Sequence, residues 1–161
     1  MSLLQHLHPA TIHFPIALLL LGSVLALYSI WRPGLVQVRW TAWLLLAVGW
    51  VGGAAAVLTG LFAQSNLPPD APYRDVLNWH IGVGLGQLVV YGLVIYQGWL
   101  FRAPRRQKQR AARGDSSTDL LDSPPARPWV TVLLLLGMFL VVATGWNGGV
   151  LVYEWGVNVG R

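Results

Sequence analysis

Histidine is the residue type in this chain best suited to hold a metal ion or a cofactor. His6, His8 and His13 lie just before or at the start of one long apolar run, and His80 lies at the start of another. His8 and His13 are about 140° apart around a regular helix, so they are poorly placed to bind one small ion together. His13 and His80, on two facing helices, could instead supply both axial ligands of a haem iron. A purely structural role, in which the imidazoles hydrogen-bond loop carbonyls or lipid headgroups, stays open.

Two prolines shape the segment that contains His13. Pro9 suits the first position of a helix. Pro15 removes the amide that would bond the Thr11 carbonyl, which predicts a kinked helix entrance around His13. Irregular backbone at membrane depth must be covered by protein or line a cavity. We therefore expect His13 to point into the interior of the protein, with His8 as the second-choice ligand.

A polar stripe continues from His80 along its apolar run. Gly84, Gln87 and Tyr91 follow His80 at helical spacing, so all four share one face. Such a face should be directed towards the protein interior and away from lipid. Gly84 would leave room for a flat ring beside His80. Gln87 and Tyr91, with Asn78, could bind a quinone carbonyl, and histidine can also ligate a chlorophyll-type pigment.

Four apolar runs must position these residues. The chain is 55% hydrophobic and 11% charged, whereas an ordinary soluble domain is about 25% charged. A bilayer core of about 30 Å needs roughly 20 apolar residues of helix. We predict an all-α membrane protein in which residues 1–161 form a single domain, a four-helix transmembrane bundle with up-down-up-down topology. The predicted spans are Ile12–Trp31, Trp40–Phe62, Trp79–Phe101 and Trp129–Trp146.

The basic residues predict the orientation of this bundle. Of the 11 lysines and arginines, only Arg74 and Arg161 lie outside the two segments that join spans one to two and three to four. The positive-inside rule makes those segments cytoplasmic. Both termini and all four histidines are then expected on the outer, periplasmic face of a bacterial inner membrane. We ascribe the basic charge to topology and anionic headgroups, and expect no nucleic-acid partner.

Two polar segments flank the last span. Residues 103–128 are rich in charge and proline and are expected to form a disordered cytoplasmic loop. Residues 147–161 are expected to form an outer tail that folds over the mouth of the bundle. The chain has no cysteine, which excludes thiolate metal sites and disulfides.

The second span carries small residues along one face. Gly49, Gly53, Ala56 and Gly60 are spaced by about one helical turn. Small residues at this spacing let another helix approach closely, which favours helix packing. A flat cofactor resting on this smooth face is the alternative.

Motifs at both ends of the chain resemble those of a bacterial membrane family catalogued as domain of unknown function 2231. The motifs are His8–Leu18 (His-Pro-x-x-x-His-Phe-Pro-Ile-Ala-Leu), the pair Trp79-His80, and Gly148–Val157 (Gly-Gly-x-Leu-Val-Tyr-x-x-Gly-Val). The resemblance covers nearly the whole chain and implies a four-helix membrane domain, sometimes found beside c-type cytochrome domains, in a redox setting. In that family a histidine is common where this chain has Trp155, so a ligand at this position would be missing here.

These features favour a non-catalytic membrane protein that binds haem b and transfers electrons, alone or within a larger redox complex. His13 and His80 would be the metal ligands, and the partners would be other membrane subunits or a c-type cytochrome. The alternative is a cofactor-free accessory subunit of a respiratory or photosynthetic complex. A small transporter is disfavoured because the spans lack internal charges. We identify no catalytic residue, since no nucleophile has a positioned base.

Overall fold

The computed structural model describes residues 12–65 and 67–157 and contains four long helices. They are α1 (His13–Trp31), α2 (Val36–Gln64), α3 (Arg74–Arg102) and α5 (Arg127–Tyr153). A short helix α4 (Pro104–Ala111) and a 3₁₀ turn (Leu120–Asp122) lie between α3 and α5, and no strand occurs in the described ranges. Each long helix is long and apolar enough to cross a bilayer. The predicted all-helical fold with four spans is confirmed.

Three of the long helices extend well beyond the apolar runs that predicted them. α2 begins at Val36 rather than Trp40, α3 begins at Arg74 rather than Trp79, and α5 continues to Tyr153 rather than ending near Trp146. A helix satisfies its own backbone hydrogen bonds, so it can continue into the interfacial region where polar side chains are tolerated. The apolar runs therefore mark the central part of each helix.

The four long helices occupy the corners of a square. α1 packs mainly on α2, and α3 packs mainly on α5, while contacts of α2 with α3 and of α1 with α5 complete the ring. α1 and α3 are thus diagonal neighbours. We call the end where residues 103–126 join α3 to α5 the linker end, and the opposite end, where α1 and α3 begin, the histidine end.

The hydrophobic core lies towards the linker end. At its centre the hydroxyls of Ser23 and Tyr91 are 2.9 Å apart, which links the diagonal helices α1 and α3. Ser23 also donates to the Leu19 carbonyl at 2.7 Å, so Ser23 accepts the hydrogen bond from Tyr91. The buried apolar residues around this pair are Leu19, Ala26, Ile30, Ala42, Leu46, Val94, Phe101, Leu120, Leu121, Ala126, Val130, Leu134 and Val141.

Glycines allow the close contacts of α2. A Cβ on Gly49 would lie 3.0 Å from Leu19 Cγ, and one on Gly53 would lie 3.3 Å from Leu88 Cδ2. The indole nitrogen of Trp50 donates to the Leu88 carbonyl at 2.8 Å, which also joins α2 to α3. The helix-packing interpretation of the small face is confirmed at Gly49 and Gly53. The alternative prediction, that a flat cofactor rests on this face, does not hold at these two positions, because leucine side chains occupy the space beside them.

The linker between α3 and α5 is folded, which differs from the disorder expected for residues 103–128. Leu120 and Leu121 are buried in the core. Asp119 accepts hydrogen bonds from the Trp43 indole at 3.1 Å and from Arg102 at 2.6 Å. Asp122 forms an ion pair with Arg39. Two aspartates thus bind basic and indole groups on α2 and α3, and the two leucines supply the buried area that the rest of the segment lacks.

The C-terminal segment begins as a continuation of α5 rather than as a separate tail. After the helix ends, Gly156 adopts a positive φ of 63°, and the chain turns so that Val157 is buried. Val157 and Leu151 pack with Leu77 near the start of α3. This small cluster closes the α3–α5 side of the histidine end.

Candidate cofactor site

His80 is held in one orientation by a backbone group of the neighbouring helix. Its Nδ1 lies 3.0 Å from the carbonyl oxygen of Thr144 on α5. A carbonyl only accepts, so Nδ1 carries a proton and donates this hydrogen bond. Histidines that bind metals are commonly oriented by a hydrogen bond of this kind from the other ring nitrogen.

Small residues seat the His80 ring against α5. A Cβ on Gly148 would lie 3.1 Å from His80 Cε1. One turn further along α3, a Cβ on Gly84 would meet the Thr144 methyl at 3.7 Å. The Thr144 hydroxyl donates to the Leu140 carbonyl at 2.8 Å, within its own helix. The Thr144 methyl therefore lies beside Gly84, and the Thr144 backbone carbonyl bonds the ring of His80.

The polar stripe predicted on α3 faces the bundle interior. Gly84, Gln87 and Tyr91 are buried, and His80 is half-buried. The Oε1 atom of Gln87 is buried and has no hydrogen-bond partner among the described residues. An unpaired buried amide oxygen is costly, which favours a donor group or a ligand beside it.

Tyr91 serves the packing of the core rather than a ligand site. Its hydroxyl is occupied by Ser23, and a Cβ on Gly137 would lie 2.7 Å from its Cζ atom. The close contact with Gly137 lets α5 approach the tyrosine ring. Of the predicted stripe, His80, Gly84 and Gln87 lie nearer the histidine end and Tyr91 belongs to the core.

The interior around His80 differs from the core in the size of its side chains. Beyond the core, the buried residues on the described parts of α1 and α2 are Pro15, Gly53 and Ala63, and those on α3 are Leu77, Gly84 and Gln87. No residue of α5 between Val141 and Leu151 is buried. Among the described residues of α3, those buried between the core and the cluster of Leu77, Leu151 and Val157 are therefore small or polar.

His13 does not point into the bundle as expected, because its side chain is exposed. α1 begins at His13, so Pro15 falls in the first helical turn, where a missing amide leaves no intrahelical bond unmade. The predicted kink is therefore unnecessary. Pro15 packs on α2, where a Cβ on Gly52 would lie 3.2 Å from its own Cβ. No hydrogen bond joins His13 to His80 in the described structure.

Of two further predicted ligands, His8 and Asn78, the structure describes only Asn78. His8 lies outside the described residues. Asn78 is exposed and, with Asp75 and Trp79, lines a shallow surface depression of about 350 Å³. Asn78 and the buried Gln87 are on opposite faces of α3, so the predicted grouping of Asn78 with Gln87 around one quinone carbonyl is wrong.

Trp155, at the position where the resemblance leads us to expect a histidine, forms an aromatic contact. Trp155 packs against Tyr73, which precedes α3, with ring centroids 6.2 Å apart and an interplanar angle of 59°. This contact joins the segment after α5 to the start of α3. Trp155 thus helps to close the histidine end without offering a metal ligand.

Sequence reasoning found His80 and its stripe but missed how the ring is oriented. The orienting group is the backbone carbonyl of Thr144, and no side-chain pattern encodes it. The sequence positions of His80 and of the α5 glycines do not predict this hydrogen bond, because it depends on how α3 and α5 pack against each other.

Comparison with known proteins gives one match. A family model described as a predicted membrane protein, DUF2231, matches residues 5–161. No curated protein and no solved structure matches the chain.

Proposed function

The chain belongs to the DUF2231 family of predicted membrane proteins, and we propose that this membrane protein binds haem b and transfers electrons. The observation that carries this proposal is the fixed orientation of His80. Its Nδ1 is bound to the Thr144 carbonyl at 3.0 Å, so Nε2 is the atom that would bind iron. Haem iron bound in this way accepts and releases one electron, and its axial ligands and burial tune its potential.

The surroundings of His80 support a bound group on this side of α3. Gln87 Oε1 is buried without a hydrogen-bond partner among the described residues, and Gly84, between His80 and Gln87 on α3, is a buried residue without a side chain. His80 would hold the iron in this proposal. His13 and His8 are the candidates for a second protein ligand.

The basic residues support an orientation in which the histidine end faces the periplasm. Arg39, Arg102 and the arginines of α4 lie at the linker end, and such clusters favour the cytoplasmic side of a bacterial inner membrane. A haem near the periplasmic face would exchange electrons with a c-type cytochrome or with other membrane subunits.

The second candidate is a cofactor-free accessory subunit of a respiratory or photosynthetic complex. The specific observation in its favour is the close helix packing at Gly49, Gly53 and Gly84, where neighbouring side chains occupy the space beside each glycine. On this alternative the Thr144 bond of His80 only joins α3 to α5. The protein would then be colourless and would co-purify with larger subunits.

A reduced-minus-oxidised absorption spectrum of the protein from haem-replete cells separates these candidates. The wild type should show the sharp bands of haem b, and His80→Ala should abolish them. Asn78→Ala is the matched control, because this exposed neighbour on α3 faces away from the stripe and its loss should leave the spectrum unchanged.

The same spectrum assigns the second ligand and the type of cofactor. His13→Ala and His8→Ala are expected to differ, with the bands lost or shifted only in the variant that removes the second ligand. Pigment bands of the chlorophyll type, or a quinone in the lipid extract of a protein without haem, would replace haem as the cofactor. A colourless wild type would leave the accessory-subunit candidate.

A further inference from the structure

A groove with basic and apolar walls opens at the linker end. It has a volume of about 590 Å³ and lies between the end of α3, helix α4 and the start of α5. Leu100, Phe101 and Trp129 supply apolar surface, and Arg106, Arg110 and Arg113 supply positive charge. Asp115 is the one acidic residue that lines it. The groove is thus amphipathic and carries a net positive charge.

Two of the three arginines are uncommitted in the described structure. The side chains of Arg106 and Arg113 are exposed and form no hydrogen bond or ion pair with a described residue. Arg110 is anchored by its bond to the Phe101 carbonyl at 2.8 Å, and its guanidinium lies over the Phe101 ring at 3.3 Å. Its Nε atom is buried without a hydrogen bond and lies 3.9 Å from the Asp115 carboxylate, with which it forms an ion pair, so Arg110 is already committed. At Arg106 and Arg113 the groove therefore presents guanidinium donors that lack acceptors.

The place of the groove in the fold indicates which acceptor suits it. The apolar wall belongs to the last turn of α3 and the first turn of α5, where both helices leave the membrane. Trp129 lies at that boundary, which is the preferred depth of tryptophan. A ligand seated there meets cations on the aqueous side and apolar surface on the membrane side. This pattern matches a phospholipid with an anionic headgroup.

We propose that this groove is a binding site for one anionic phospholipid. The headgroup phosphate accepts hydrogen bonds from Arg106 and Arg113, and the start of an acyl chain lies along Leu100 and Trp129. Arg110 borders the headgroup from the protein side. The site is distant from His80 and does not depend on the proposed haem.

Lipid retention tests the site directly. The full chain is purified in mild detergent, phosphatidylglycerol or phosphatidylcholine is added, and bound lipid is counted by native mass spectrometry. The variant is Arg106→Gln with Arg113→Gln. The control is Arg105→Gln with Lys108→Gln, which removes the same charge from exposed positions of α4 outside the groove.

We expect the wild type and the control to retain phosphatidylglycerol in preference to phosphatidylcholine. Each arginine removed from the groove should weaken retention about fivefold, as expected for a cation beside an anionic headgroup. Equal losses in the groove variant and the control, or no preference for phosphatidylglycerol in the wild type, would overturn the proposal. A further outcome is that millimolar inorganic phosphate displaces the lipid and, without any lipid, stabilises the protein against heat as much as the lipid does. That result would assign the groove to free phosphate and would also overturn the proposal.

Discussion

At the residue scale, His80 shows how a backbone contact can define the chemistry of a side chain. The Thr144 carbonyl accepts from the Nδ1 nitrogen of the ring, and the absence of a side chain at Gly148 lets the ring lie close to α5. Gly84 and Gly148 thus affect the site by allowing α3 and α5 to lie close together. A histidine at the same depth without these contacts would be free to rotate, and its two nitrogens would be equivalent candidates for a ligand.

The contact between Gly137 and Tyr91 predicts a large effect from one methyl group. In Gly137→Ala the added Cβ would lie 2.7 Å from Tyr91 Cζ, so α5 or the ring must move. Overpacking of this kind costs about 1–3 kcal/mol. We expect the melting temperature in detergent to fall by several degrees.

Gly145→Ala on the same helix is the control for this prediction. Nothing lies within 4 Å of a Cβ at Gly145, and alanine favours a helix over glycine by about 1 kcal/mol. Its melting temperature should be unchanged or higher. Equal behaviour of the two variants would contradict the close contact at Tyr91.

At the element scale, the linker between α3 and α5 works as a clamp on the linker end of the bundle. The Asp119 carboxylate accepts hydrogen bonds from Trp43 of α2 and from Arg102 of α3. It also accepts a hydrogen bond from the Leu121 backbone amide at 3.0 Å. Trp43 lies in turn against Gly98 of α3. One carboxylate thereby connects two long helices to the 3₁₀ turn.

Asp119→Asn should weaken this clamp. An amide in place of the carboxylate removes the negative charge that faces Arg102. Its NH₂ group cannot accept a hydrogen bond, so at least one of the three donors (Trp43, Arg102 and the Leu121 amide) loses its acceptor. The free energy of unfolding should fall by about 2 kcal/mol, because bonds to a charged, largely buried acceptor are lost. Thermal unfolding measures this change. Asp70→Asn, at an exposed position between α2 and α3, should have no effect, and an equal loss in both variants would contradict the clamp.

The linker also carries a pH dependence at Asp115. Hydrogen bonds from the Ser117 hydroxyl and from its backbone amide, at 2.9 Å, hold the pKa of Asp115 below its ordinary value. The folded state then binds fewer protons than the unfolded state in this pH window, so stability rises with pH there. The contribution of Asp115 to the free energy of unfolding is fully present above the ordinary carboxyl pKa. It is lost as the pH falls through the lowered pKa of Asp115 in the folded state.

The measurement for Asp115 is the unfolding midpoint of the wild type and of Asp115→Asn between about pH 6 and about pH 3. The wild type should be the more stable protein at the upper end, and the difference should shrink towards the lower end. Ser117→Ala keeps the backbone bond and should give an intermediate curve. A difference that stays constant with pH would contradict the lowered pKa.

At the scale of the whole molecule, the bundle has two parts of different character. The linker end has a continuous apolar core and a clamped connection, whereas the buried residues of α3 between this core and Leu77 are the small Gly84 and the polar Gln87. The small cluster of Leu77, Leu151 and Val157 closes the histidine end on the α3–α5 side. The larger part of the apolar packing in the described residues therefore lies at the linker end.

The sequence predicted those parts of the molecule that depend on lipid or on helical periodicity. The apolar runs located the four spans because a bilayer requires them, and the spacing of Gly84, Gln87 and Tyr91 located the interior face of α3. The exposed side chain of His13 was missed because the effect of Pro15 depends on where α1 begins. The bonds of Asp119 and the Thr144 carbonyl were missed because they join segments that are distant in the sequence.

The most direct measurement of the central claim is the haem content per polypeptide, determined by the pyridine haemochrome assay on protein purified from haem-replete cells. The proposed role of His80 predicts about one haem b per chain in the wild type and its loss in His80→Ala, with Asn78→Ala unchanged. A wild type that folds normally without haem, or a His80→Ala variant that keeps its full haem content, would contradict the claim.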